Sequence, residues 1–337
     1  MNIRTSAERR GEWRAACAVL VAWIVLSSGV ARAWEPEHAS QNGIREPLRD
    51  AAVARSPAGS YYLTGTAGTL DKSGSVDFDY NRGAPLWSSD DLETWTHMGY
   101  AWDRVERFAQ ARGAHGRHWT DWSAPAERID ALLANATTTP KLYYIAGDWF
   151  VLCAQNNQNV FVFKSESGKP EGPYVDHGYL ATRGGWPSFF VDDVPAPLNA
   201  PGGKTVRAVY LVLGDGWIAR MKPDLKEAAE DIRPLLPAAG AAGAGRLTLG
   251  DCGVALFKRD GRYQLLAARW FVRDGKPSHD AVLWQADHVY GPYRQTDVVL
   301  PDTGPVSVFQ DGLGQWKAVA SHPVENAPRI LAIPAAR

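Results

Sequence analysis

The sequence contains few of the residues that build metal and redox sites. It has 3 cysteines and 8 histidines among 337 residues, with no Cys-x-x-Cys pair and no histidine-rich spacing. A structural zinc site is therefore not predicted. An excess of one charge is also missing, because 36 lysines and arginines balance 37 aspartates and glutamates. We therefore predict no nucleic-acid partner, no binding to an anionic membrane surface, no metal and no cofactor.

Long apolar runs are scarce, and the clearest one, 15–30, lies near the N-terminus. It is shorter than the roughly 20 apolar residues of a membrane-spanning helix, which is the alternative interpretation. Arginines precede it, and the small-x-small sequence Ala31-Arg32-Ala33 follows it. This order is typical of a cleaved signal peptide. We predict a signal peptide over 1–33, no membrane anchor, and a periplasmic or secreted mature protein with a single domain over 34–337.

Two cysteines remain in the predicted mature protein, Cys153 and Cys252. They are far apart in the sequence, so a disulfide and two separate thiols both stay open. Tryptophan, in contrast, is plentiful, with 14 residues. That number suits a large aromatic core or stacking against sugar rings, and for any single tryptophan the core is the more frequent role.

A glycine turn that leads into an aromatic and aliphatic strand recurs along the chain. The first copy follows Arg49-Asp50, where Asp50 stands at the start of a short predicted strand. Strand composition and turn chemistry agree in each copy. The copies begin at Gly59, Gly147, Gly261 and Gly314, and a looser copy runs from Gly203 to Leu213.

A second motif, an aromatic strand that ends in a turn, follows three of these copies: Leu86 to Trp95, Val162 to Tyr174 and Leu283 to Tyr293. Five strand–turn–strand copies spaced about 50 to 90 residues apart are typical of a β-propeller with four-stranded blades. A blade buries both faces only by packing between neighbours. We therefore predict an all-β, five-bladed β-propeller, with a β-sandwich as the alternative.

One segment interrupts this pattern between the first and second copies. From about 100 to 137, two stretches have apolar residues at helical spacing, so we predict a short helical insertion. Long insertions in compact domains are usually functional or disordered. The aromatic and histidine side chains of this one, including His118 and Trp119, make a disordered segment the weaker interpretation, and the histidines are either surface residues or groups that fold over the channel.

The ordered motifs resemble glycoside hydrolase family 43, whose members are five-bladed propellers that cleave furanosides, xylosides and galactosides. The resemblance covers nearly all of the predicted mature chain. Asp90 also resembles the aspartate of a Ser-x-Asp turn, which is a structural device. The matching stretches are Arg49-Asp50 before 61–66, then 89–95, 169–174, 188–193, 216–221, 256–263 and the Gly-Pro-Tyr at Gly291.

The resemblance implies inversion at the anomeric carbon by two separated carboxyl groups, a base that activates water and an acid that protonates the leaving oxygen. A third carboxylate would tune the acid. Asp50 matches the base. However, the tuning position holds Trp186, the acid position holds Cys252, and the histidine that lies near a central metal in many members is replaced at about Pro305.

The identity of the acid is therefore open. Asp251 precedes Cys252, but successive strand residues point to opposite faces unless a bulge re-aims one of them. His115 and His118 of the insertion are further alternatives. We predict Asp50, Asp251 and Cys252 as catalytic residues.

Two functions follow. The first is a glycosidase that hydrolyses plant or algal oligosaccharides, and the second is a catalytically degenerate propeller that binds glycan without cleaving it. In both cases the partner is an oligosaccharide or polysaccharide fragment, and the protein is predicted to be a monomer. The side chains predicted to contact sugar are Trp186, Trp119, His118, Trp217 and Trp270.

Overall fold

The computed structural model describes most of the chain from residue 43 onward. The described residues belong to one compact unit, Pro36–Arg337. They form strands and turns, and none of them forms a helix long and apolar enough to cross a membrane. The predicted signal peptide and most of the predicted insertion lie outside them. The described ranges are 43–70, 73–103, 136–155, 159–181, 185–195, 205–239, 249–251, 253–273, 275–321 and 326–336.

Five antiparallel sheets arranged in chain order make this part of the chain a five-bladed β-propeller, as predicted. The first two sheets consist of β1 (Leu48–Arg55), β2 (Tyr61–Ala67), β5 (Gly83–Ser89) and β6 (Thr96–Asp103), then β7 (Thr137–Ile145), β8 (Asp148–Gln155), β9 (Asn159–Ser165) and β10 (Tyr174–Ala181). The third consists of β11 (Ser188–Pro195), β12 (Thr205–Leu213), β13 (Trp217–Arg220) and β14 (Arg233–Pro234). The last two consist of β15 (Val254–Arg259), β16 (Arg262–Arg273), β17 (Lys276–Ala286) and β18 (Arg294–Leu300), then β19 (Ser307–Gln310), β20 (Trp316–Ser321) and β21 (Pro328–Ala332). The strands β3 (Thr69–Leu70) and β4 (Val76–Asp77) form a separate hairpin.

The repeated sequence motifs form the turns of the blades. The Gly-x-aromatic motif connects the first and second strands of four blades. The second motif connects the third strand to the fourth, where Tyr174 and Tyr293 are fully buried. The Tyr174 hydroxyl donates to the carbonyl of Pro170 at 2.8 Å, and the Tyr293 hydroxyl donates to that of Val289 at 2.7 Å. The same local contact therefore recurs in the second and fourth blades.

The first blade uses a different turn residue from the one predicted. Asp91, rather than Asp90, stabilises the turn after β5, because its Oδ1 accepts the backbone N–H groups of Glu93 and Thr94, each at 2.8 Å. These bonds favour the charged carboxylate and lower the pKa of Asp91 to about 2. Among the described residues, Asp90 accepts one side-chain hydrogen bond, which the Ser60 hydroxyl donates at 2.7 Å.

Apolar clusters between neighbouring blades form the core. Trp102 on β6 stacks on Phe163 on β9 with ring centroids 3.8 Å apart, which joins the first and second blades. Trp87 and Phe309 share a buried cluster that joins the first blade to the fifth. The ring is therefore closed by hydrophobic packing, the main favourable term in folding.

Strand direction determines which end of the propeller carries the site. Because neighbouring strands are antiparallel, the starts of the first and third strands of a blade lie at the same end as the ends of the second and fourth. We call the end at which β1, β7, β11, β15 and β19 begin the site face. The first blade ends at this face with β6 at Asp103, and the second blade begins there with β7 at Thr137, so the predicted insertion of about 100 to 137 joins the two blades at the site face.

Candidate active site

Four blades begin their innermost strands with an unusual backbone conformation. Asp50, Thr139 and Trp186 have φ values of 53°, 52° and 51°, and Gly253 has 127°. Positive φ is uncommon for residues other than glycine and persists only where the surrounding structure holds it. At Asp50 the register between β1 and β2 shifts as well. The site face thus collects positive-φ residues from successive blades around the propeller axis, and three of them, Asp50, Thr139 and Trp186, are not glycine.

The Asp50 carboxylate is buried and receives donors from three directions. Thr66 Oγ1 donates to Oδ2 at 3.0 Å, and the indole N–H of Trp186 donates to Oδ1 at 3.0 Å. Arg49 Nε lies 3.4 Å from Oδ2. Thr66 Oγ1 in turn accepts the backbone N–H of Thr139 at 2.7 Å, which ties the second blade to the same group. Together these contacts hold the carboxylate in one orientation.

Trp186, predicted to contact sugar, is half-buried and supports Asp50 directly. Its position depends on a chain of close backbone contacts beside it. The Gly214 N–H donates to the carbonyl of Gly185 at 2.9 Å, and the Gly253 N–H donates to the carbonyl of Gly214 at 2.9 Å. Gly214 therefore links the third and fourth blades immediately next to the tryptophan.

Replacing Gly214 with alanine is expected to destabilise the protein and disturb the site. The added methyl would lie 2.6 Å from Trp186 Cβ and 2.9 Å from the Gly185 carbonyl oxygen. Overpacking of this kind costs about 1–3 kcal/mol. We expect a lower free energy of unfolding in urea and a change in tryptophan fluorescence. Gly312→Ala is the control, since its nearest contact is the Tyr61 hydroxyl at 3.3 Å, and equal loss in both variants would contradict the prediction.

The fourth blade brings a tryptophan, a histidine and an aspartate to the site face. Trp270 is 60 % exposed and stacks on His279, with centroids 4.2 Å apart and planes 10° apart. The Trp270 backbone N–H donates to Oδ2 of Asp251 at 3.4 Å. Asp251, predicted as a candidate acid, is exposed. The fourth blade thus places the Trp270 ring next to both the His279 imidazole and the Asp251 carboxyl group.

His279 is the functional candidate that the sequence analysis missed. Burial lowers its pKa from the ordinary value of 6.5, while the negative charges of Asp251, Asp280 and Asp50 act in the opposite direction. His279 lies near the start of β17, the third strand of its blade, and is therefore at the same face as the carboxylate of the first blade. In the sequence it is an isolated histidine, and only the pairing of His279 with Trp270 across β16 and β17 shows that it belongs to the site.

The other predicted site residues have different outcomes. Trp217, at the start of β13, is partly buried and packs against the apolar cluster between the second and third blades. Its sugar contact stays a prediction. Cys252, Trp119, His118 and His115 lie outside the described residues.

The sequence of the chain matches a known family. The model for glycosyl hydrolases family 43 matches residues 44–305. The chain belongs to glycosyl hydrolase family 43. None of the curated proteins matches this family 43 chain by sequence.

Solved structures share the fold of this family 43 protein. A mutant of the GH43 protein BlXynB from Bacillus licheniformis has a TM-score of 0.56 and 18 % identity, and the match covers 87 % of this chain and 53 % of that one, about half its length. The endo-arabinase of Bacteroides thetaiotaomicron has a TM-score of 0.55 and 17 % identity, with 88 % and 98 % covered. The endo-1,4-beta-xylanase of the same organism has a TM-score of 0.54 and 21 % identity, with 85 % and 89 % covered.

The five innermost strands enclose a small cavity in the central channel, with a volume of about 40 Å³. Lys141 on β7 lines this cavity and is 6 % exposed. Burial lowers the pKa of Lys141 to about 8, although the charge of Asp50 opposes the shift. A cationic side chain therefore lies in the channel below the Asp50 carboxylate.

The channel residues do not fit the central metal that the family resemblance implies. The described part of the chain contains no group of three or more histidine, cysteine, aspartate or glutamate side chains arranged to hold a metal. The Lys141 ammonium would also repel a metal cation across a short distance. The other polar side chains that line the channel are Tyr143, Ser188 and Ser307.

Proposed function

We propose that this family 43 propeller hydrolyses O-glycosidic bonds of plant or algal oligosaccharides with inversion at the anomeric carbon. Membership of the family supports a glycosidase-type function. The observation that carries the proposal is the Asp50 carboxylate, which is buried at the site face and oriented by donors from Thr66, Trp186 and Arg49. A carboxylate fixed in this way is suited to accept a proton from an attacking water.

In the proposed reaction, a water oxygen attacks the anomeric carbon while Asp50 takes its proton. The bond between that carbon and the leaving oxygen breaks, and the leaving oxygen takes a proton from an acid on the opposite side. We assign the acid to the fourth blade, where His279 in its protonated form is the first candidate. Asp251 is the second candidate, and its charge raises the pKa of His279.

Exposed aromatic surface at the site face supports a carbohydrate ligand. Trp270 offers a ring face to solvent, and Trp186 lies beside Asp50. Aromatic rings of this kind stack on the apolar faces of sugars. The titles of the structural neighbours name an endo-arabinase, a xylanase and an exo-1,5-alpha-L-arabinanase. Arabino- and xylo-oligosaccharides are therefore the first substrates to test.

A specific observation favours binding without cleavage as the second candidate function. The positive-φ residues of the next three blades are Thr139, Trp186 and Gly253, and none of them carries a carboxyl group. A propeller of this kind would hold a glycan against Trp186 and Trp270 and leave its bonds intact.

We also propose that the protein is exported and monomeric. The basic start, the apolar run 15–30 and the Ala31-Arg32-Ala33 sequence support export. N-terminal sequencing of the mature protein is expected to begin at Trp34, and light scattering is expected to give the mass of one chain.

The test is a screen of the purified mature protein against aryl-glycosides and arabino- and xylo-oligosaccharides. Proton NMR of the first product formed determines its anomeric configuration, and calorimetry measures binding to the same oligosaccharides. Turnover with inverted product supports the proposal. Retained configuration contradicts it, and saturable binding without turnover supports the second candidate.

A further inference from the structure

A buried lysine in the central channel has no role in the proposed reaction. Lys141 lies two residues after Thr139, at a shift in the register between β7 and β8, and pairs with Leu152. Lysine is almost never fully buried unless it is paired. Its position among the innermost strands therefore needs a physical explanation.

The walls of the cavity are mainly apolar, with few polar groups to solvate an ammonium. Ser307 Oγ donates to the Ala51 carbonyl at 2.9 Å. Ser188 Oγ has only long contacts to the carbonyls of Val254 and Val212, at 3.3 and 3.5 Å. Because bonds of that length are weak, the Ser188 hydroxyl can turn toward a better acceptor in the cavity.

The charge of Lys141 is not neutralised within the described structure. Asp50 on β1 is the charged group that acts on it, but the Asp50 oxygens are engaged by Thr66, Trp186 and Arg49. The strands β11, β15 and β19 present Ser188, Ser307 and apolar side chains to the cavity. Tyr143 on β7 also lines it, and burial raises the pKa of this hydroxyl above its ordinary value, so it adds no negative charge. Among the described residues, the Lys141 ammonium has no hydrogen-bond or ion-pair partner, and its side chain lines the cavity. A buried charge without such a partner is costly.

We propose that the central channel binds a small monatomic anion, such as chloride, between the Lys141 ammonium and the Ser188 hydroxyl. The volume of about 40 Å³ exceeds the roughly 10–15 Å³ that one water requires. The cavity is therefore large enough for a halide ion. This site lies beneath the Asp50 carboxylate, and it does not depend on the proposed glycosidase activity.

The experiment measures the melting temperature of the mature protein at constant ionic strength while sodium chloride or bromide replaces sodium gluconate. A ligand that binds only the folded state stabilises it by mass action. We expect a saturable rise of about 2–5 °C at roughly one hundred times the dissociation constant. Bromide-soaked crystals are expected to give an anomalous peak beside Lys141 Nζ.

The pH dependence gives a sharper test of the same site. The halide binds only the protonated amine, so its stabilising effect is expected to be largest below pH 8 and to fade above it. In gluconate the opposite trend is expected. Since the unfolded lysine binds more protons between pH 8 and its ordinary pKa of 10.5, the stability contributed by Lys141 rises as the pH rises through that window.

Lys141→Met is expected to abolish the halide response at every pH. The matched control is Lys164→Met, which removes a partly exposed lysine paired with Asp148 at 2.7 Å and is expected to keep the response. Ser188→Ala retains the lysine and is expected to weaken halide affinity. This variant tests the site if Lys141→Met does not fold. Two results would overturn the proposal and indicate that only water fills the cavity. One is a wild-type melting temperature that is the same in halide and gluconate, and the other is an unchanged halide response in Lys141→Met.

Discussion

Replacing Asp50 with asparagine is expected to lower kcat by about 10² to 10⁴-fold, the usual contribution of a general base or acid. The amide oxygen can still accept the indole N–H of Trp186, which now donates at 3.0 Å. The fold and the substrate pocket should therefore persist. The measurement is turnover of the best oligosaccharide from the screen, together with calorimetric binding of the same sugar.

A matched control exists within the same cluster. Asp79 also pairs with Arg49, at 3.6 Å, but its side chain is 77 % exposed. Asp79→Asn removes the same charge from the same arginine without touching the buried carboxylate, so kcat should stay close to that of the wild type. Turnover that is unchanged in Asp50→Asn would remove Asp50 from the mechanism, and equal losses in both variants would assign the effect to Arg49 instead.

The propeller could be predicted from the sequence because its repeated signals are local. A turn such as the one at Gly147 needs only a few neighbouring residues to specify it, and so does the Gly-Pro-Tyr turn that buries Tyr174. Five copies of the same signals then leave few alternative arrangements. The helical insertion of about 100 to 137 stays a prediction, because most of it lies outside the described residues.

The site was harder to predict because its contacts cross the ring. The position of Asp50 followed from the family motif, but its hydrogen bond with Trp186 joins residues 136 positions apart. Trp186 was predicted only as a sugar-binding ring, and its indole N–H turned out to orient the candidate base. Such a pairing depends on how the first and third blades meet at the axis.

His279 and Lys141 were missed for separate reasons. His279 becomes a site residue only when the register of β16 and β17 places it against Trp270. Lys141 is the single lysine of β7, and a lysine is normally expected to reach solvent. A register shift after Thr138 alters which side chains of β7 face the channel. No local sequence motif predicts this shift.

Replacing His279 with glutamine is expected to remove the alkaline limb of the pH–rate profile. An acid must be protonated to work, so kcat/KM falls as the pH rises through its pKa. Burial holds the pKa of His279 below 6.5, which places the fall of the wild-type rate on the acidic side of that value. Glutamine does not titrate in this range, and the remaining slow rate should be flat there.

The choice of leaving group separates this role from a structural one. Proton donation matters most for a basic sugar hydroxyl, so His279→Gln should lose about 10² to 10⁴-fold with an oligosaccharide and much less with a nitrophenyl glycoside. Asp251→Asn is the control. This variant removes a negative charge that raises the pKa of His279. The alkaline limb should therefore remain but move to lower pH. If Asp251→Asn instead abolishes the limb while His279→Gln retains it, Asp251 is the acid and His279 only adjusts its surroundings.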